Sequence, residues 1–73
     1  MNKREFQAVN AARNARTVFD STRNIDDLNR AGAIMGRLVR NANSNRARAE
    51  LIAIAQELDV YGTSAYSLER YAD

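Results

Sequence analysis

Residues Arg46 to Gly62 read RARAELIAIAQELDVYG, and the fold turns on how this run is read. Ala47, Leu51, Ile54, Ala55, Leu58 and Tyr61 recur at helical spacing and form one apolar stripe. Ala49, Ile52, Ala53 and Val60 widen that stripe, so little of the helix is left to face water. A helix apolar over most of its girth is expected at the centre of a domain, covered on several sides. Leu58 is expected among its best-buried residues. Gly62 stands where the helix should stop, because glycine enters the left-handed conformation without steric cost.

The chain on either side also reads as helix. Asn2 followed by Glu5 has the form of a capping box, in which each side chain satisfies a backbone donor at a helix start. From there a first helix is expected to run to about Phe19, with Ala8, Ala11, Ala12, Ala15, Val18 and Phe19 as its apolar stripe. Alanines allow close approach but bury little area, which leaves the anchoring to Val18 and Phe19. Phe6 points away from that stripe, beside Asn10, Arg13 and Thr17.

Asp20–Arg23 reads as a polar turn and Asn24 as the cap of a second helix. Asp26 and Asp27 in its first turn and Arg37 and Arg40 in its last complement the helix dipole. Ile25, Leu28, Ala31, Gly32, Met35, Leu38, Val39 and Ala42 make its stripe. Gly32 and Gly36 each cost about 1 kcal/mol in a helix interior. Close backbone contact with the alanines of the first helix would account for both, and a hinge is the alternative. NANSN (Asn41–Asn45) is rich in cap formers. After Gly62, Thr63 and Ser64 can cap a short helix over Ala65–Tyr71.

With no proline, three glycines and little period-two alternation, strands are not expected. The predicted fold is therefore all-α: one small domain over residues 1–73, with three main helices and a short fourth at the C-terminus. No run reaches the ~18 apolar residues that span a bilayer. Met1–Glu5 lacks the apolar core of a signal peptide. The expectation is a cytoplasmic protein with no membrane contact.

Chemistry is sparse. The chain has no cysteine and no histidine, which removes thiolate ligands and the commonest general base. No phosphate loop, nucleophile triad or metal-ligand spacing is present. The carboxylate pairs Asp26–Asp27 and Glu57–Asp59 have capping or surface explanations. No catalytic residue, metal or cofactor is expected, and the chain reads as non-enzymatic.

Charge is uneven along the chain. Up to residue 45, Lys3 and seven arginines outweigh four acids; after it, three arginines face five acids. Such asymmetry can mark a basic binding face, or simply a solvated surface. Arginine suits bidentate contacts with carboxylates and phosphates. The candidate protein-binding residues are Phe6, Arg13, Arg30, Arg37 and Arg40: an aromatic anchor with cations on the outward faces of the first two helices. Asp26, one turn before Arg30, is expected to neutralise it in part. The implied partner is a protein with an acidic surface and an apolar pocket.

The run Ile54–Leu68, IAQELDVYGTSAYSL, resembles a helix-turn-helix. Ile54, Ala55, Leu58, Val60 and Leu68 match the buried positions of that family, and Asp59 stands at its turn glycine. The resemblance implies that the helix after the turn enters the major groove, with Ser64, Tyr66, Ser67 and Arg70 as readers. Two further functions follow as alternatives: a helix-turn-helix DNA-binding regulator, and an RNA or non-specific nucleic-acid binder using the arginine face. The favoured expectation is a small regulator, monomer or homodimer, that docks on a larger protein assembly and acts by occlusion or displacement. In size and style it is similar to phage-encoded modulators of host machinery such as RNA polymerase.

Overall fold

Each helix begins at a side chain that supplies its missing hydrogen bonds. A computed structural model describes residues 1–60, which hold α1 (Lys3–Thr22), α2 (Ile25–Arg40) and α3 (Asn45–Glu57). The expected fourth helix, Tyr61, Gly62 and the Thr63–Ser64 cap lie outside the described residues. The Asn2–Glu5 capping box is present: the Glu5 N–H donates to Asn2 Oδ1 at 2.8 Å and the Asn2 N–H to Glu5 Oε1 at 3.0 Å. The Asp26 N–H donates to Asn24 Oδ1 at 3.0 Å, and the Ala47 N–H to Ser44 Oγ at 3.1 Å.

α1 runs three residues past its expected end and stops at Arg23, which is left-handed at φ 58°. Only Arg23 and Asn24 separate α1 from α2, and so short a connection folds the two helices back on one another as a hairpin. Thr22 braces the corner: its hydroxyl donates to Asp27 Oδ2 at 2.9 Å and accepts from the Asn24 N–H at 3.1 Å.

The central helix is α2. It packs on both α1 and α3, whereas α1 reaches the end of α3 through the side chains of Arg13 and Arg16. Its inner face carries Ala31, Gly32, Met35, Gly36 and Val39, all buried, close to the expected stripe. Ile25 is the exception and is exposed. α2 is continuous through both glycines, so they form no break. Both glycines are buried.

Two expectations are corrected. The stripe of α1 is rotated: Val9, Ala12 and Ala15 are buried, Ala11 is exposed, and Val18 keeps 43% of its surface. The anchoring expected of Val18 comes instead from Met35 and Val39 on α2, both fully buried. α3 is not covered on several sides either. Leu51 and Ala55 are buried, but Ala49 and Ala53 are exposed and Leu58 is only half-buried.

α3 also ends earlier than Gly62. Leu58 is its C-cap and Asp59 follows at φ 57°. The Val60 N–H donates to the Ala55 carbonyl at 3.2 Å and the Asp59 N–H to the Gln56 carbonyl at 3.1 Å. These are the two bonds of a Schellman motif, whose usual companion is an apolar contact near the helix end. Val60, 1% exposed, joins Ala55 in the core. Aspartate takes the left-handed position that glycine would occupy, as its short polar side chain allows.

Candidate functional site

The surface expected to bind a partner is divided by α1 into two flanks. Phe6 lies on one of them and is 57% exposed. Arg13 follows at the i+7 spacing that keeps it on the same side. Its guanidinium reaches Glu57 Oε1 at 3.4 Å, tying α1 to the last turn of α3. Arg30 and Arg37 belong to the opposite flank, along the seam between α1 and α2. Arg30 pairs with Asp27 rather than with Asp26. Arg40 is exposed at the end of α2. Ser64, Tyr66, Ser67 and Arg70 lie outside the described residues.

Several arginines are occupied in holding the fold. Arg16 Nε donates to the Leu58 carbonyl at 2.7 Å, satisfying one of the acceptors that a helix end leaves unpaired. The same guanidinium pairs with Asp20 and lies 5.4 Å from the centroid of the Phe19 ring, with Arg23 at 5.6 Å from it. Arg48 Nε donates to the Val39 carbonyl at 3.3 Å, joining the Ala42 N–H at that acceptor near the end of α2. We expect Arg16→Ala to destabilise the domain by about 1–2 kcal/mol, through the lost hydrogen bond and ring contact. Arg13→Ala, removing an exposed pair, should cost less than ~1 kcal/mol. Urea melts of the two variants check this ordering, and equal losses would contradict it.

Two hollows line the α1–α2 seam. One, of about 380 Å³, is bounded by Asn2, Arg4, Glu5 and Ala8 from the start of α1 and by Arg37, Leu38, Asn41 and Asn43 from the end of α2 and its turn. The other, of about 300 Å³, lies between Ala11, Asn14, Ala15 and Val18 on α1 and Arg30 and Ile34 on α2. Arg4 and Arg37 have no ion-pair partner among the described residues. Arg4 was not singled out from the sequence. Its signal was its place at the apolar spacing of Ala8, Ala11, Ala15 and Val18.

Among the described residues no polar or charged side chain is buried. None of them forms a cluster of three or more potential metal ligands. No helix among them is long and apolar enough to cross a membrane. What the surface offers is shape, exposed apolar groups and guanidinium groups. No family model matches the chain, and neither does any curated protein or solved structure.

Proposed function

We propose that this protein is a non-enzymatic regulator that docks on a larger protein assembly through the outward side of α1 and acts by occlusion or displacement. The observation that carries this reading is Phe6. A helix-borne aromatic left 57% exposed, one residue past a hydrogen-bonded capping box, is pre-ordered to enter a pocket. Aromatics of this kind, ringed by polar groups, dominate the energetics of interfaces. Asn10 and Thr17, exposed, and Arg13 follow Phe6 along the same side of α1. The mechanism is steric, since the described surface brings no reactive group to a partner.

The test is capture from a nuclease-treated lysate of the source cell, followed by binding kinetics with the protein retained. Phe6→Ala is expected to speed dissociation at least about tenfold, the scale of a hot-spot residue, and to leave the melting temperature within about 2 °C. A lower melting temperature with unchanged binding would show that Phe6 serves the fold instead.

A second reading is favoured by Asp59. Its left-handed backbone falls at the turn glycine of the helix-turn-helix resemblance, with Ala55 and Val60 buried on either side. Under that reading the chain is a DNA-binding regulator, and capture is lost on nuclease treatment. A duplex is then shifted in a gel, with affinity that falls steeply as salt rises.

A further inference from the structure

We propose that the seam between α1 and α2 is a receiving groove for an acidic amphipathic helix of the partner protein. The proposal rests on the docking reading above and adds the place and the occupant. The floor is apolar: Ala8, Ala11 and Val18 from α1, Ile34 and Leu38 from α2. Ala11 is exposed and Val18 keeps 43% of its surface, while Ile34 and Leu38 are half-buried.

Shape points to a helix. The α1 residues recur every three to four positions, so the two hollows lie end to end along one side of α1. From Arg4 to Val18 the groove runs about 21 Å at 1.5 Å per residue, the length of roughly four helical turns. Small floor residues let another helix axis come close, as ridge-into-groove packing requires. Every described element is a helix, so no sheet edge is on offer to an extended peptide.

Charge selects the partner. Arg4 and Arg37 stand at one end, without ion-pair partners among the described residues, and Arg30, paired with Asp27, stands at the other. The one acid lining either hollow is Glu5, which keeps its charge while accepting from the Asn2 N–H, so two guanidinium groups outweigh one carboxylate at that end. A guanidinium pair at one end of an apolar trough is complementary to a helix with a leucine stripe and carboxylates at the matching end. A second copy of this chain, docked seam to seam by a two-fold axis, would set arginine against arginine. Nucleic acid would match the charge but gain nothing from the apolar floor.

The experiment uses the full chain and two synthetic helical peptides of about 18 residues. Both carry leucines at i, i+3, i+4 and i+7; one is flanked by glutamates, the other by lysines. Amide shifts in NMR titration should fall on Ala8, Ala11, Val18, Ile34 and Leu38, for the glutamate peptide alone. The double variant Arg4→Glu/Arg37→Glu should weaken that peptide by about tenfold or more. Ala11→Glu, at an exposed helical site, should do the same with the melt preserved, and Phe6→Ala should change nothing. Equal binding of both peptides, shifts elsewhere, or shifts of the same amides by a DNA duplex would overturn the proposal. So would a dimer in sedimentation that Ala11→Glu dissociates. If the captured partner depends on Phe6 and ignores the seam variants, the groove proposal fails while the docking reading stands. If peptide binding at the seam persists while capture yields no protein, the docking reading fails instead.

Discussion

Leu51→Ala is expected to unfold most of the population at 25 °C. Leu51 is fully buried on α3, and truncation of buried leucines generally costs about 2–5 kcal/mol. A domain this short draws only about 3–5 kcal/mol from its core, so the loss is comparable with the whole stability. α3 feels it most, because Leu51 and Ala55 are its only buried residues. Leu58→Ala makes the useful comparison. That side chain is half-buried and should cost roughly half as much, since the transfer term scales with area removed from water. Urea denaturation followed by circular dichroism reads both. A Leu51→Ala protein that melts within a few degrees of wild type would mean that α3 is not seated on Leu51.

Gly36→Leu should be the next most damaging change, and its sign opposes local propensity. Leucine is a better helix former than glycine by about 0.8 kcal/mol, so on an exposed helix the substitution would stabilise. Gly36 is buried, as is Gly32 one turn earlier, and α2 runs through both without a break. The burial of Gly36 means that a leucine side chain has to displace atoms already packed around α2. Overpacking of this kind typically costs about 1–3 kcal/mol. We expect a net loss of about 2 kcal/mol, near 8–16 °C in melting temperature for a domain of this size. Gly36→Ala separates the explanations. It raises the melting temperature if the glycine is merely a weak helix former, and lowers it if a packed neighbour needs the space.

What could be read in the sequence depended on contrast. α2 was legible because its apolar residues recur at a clean helical period and its charges are sorted to the two ends. The caps of α1 and α2 were legible because they are local, made between side chains and backbone two or three residues apart. α1 was harder. Alanines at 8, 11, 12 and 15 occupy more than one face, so periodicity could not choose the orientation that buries Val9. The end of α3 was missed because a Schellman motif is written in backbone hydrogen bonds and one apolar residue. Gly62 was the more visible stop signal, although Asp59 and Val60 satisfied the geometry first.

The candidate site divided along the same line. Phe6 could be found because it falls off every apolar stripe near it. The Arg13–Glu57 pair could not, because 44 positions separate its members and only the tertiary fold brings them together. Arg16 and Arg48 looked like surface cations until helix-end carbonyls were found beneath them. A count of arginines therefore overstates what remains for a partner.

The middle position of α2 also dictates how the molecule comes apart. α1 and α2 are neighbours in sequence and make the more extensive of the two helix pairings, so they form a hairpin that can persist without α3. α3 is held by the smaller pairing with α2 and by Arg13 and Arg16 of α1 at its end. Opening is therefore hierarchical, with α3 as the cooperative unit that detaches at lower free energy than global unfolding. Each such excursion lays bare Leu51 and the side of α2 that α3 covers. The vulnerability of this protein to proteases and chaperones in the cell thus tracks the contacts that α3 makes with α2 and with Arg13 and Arg16 of α1.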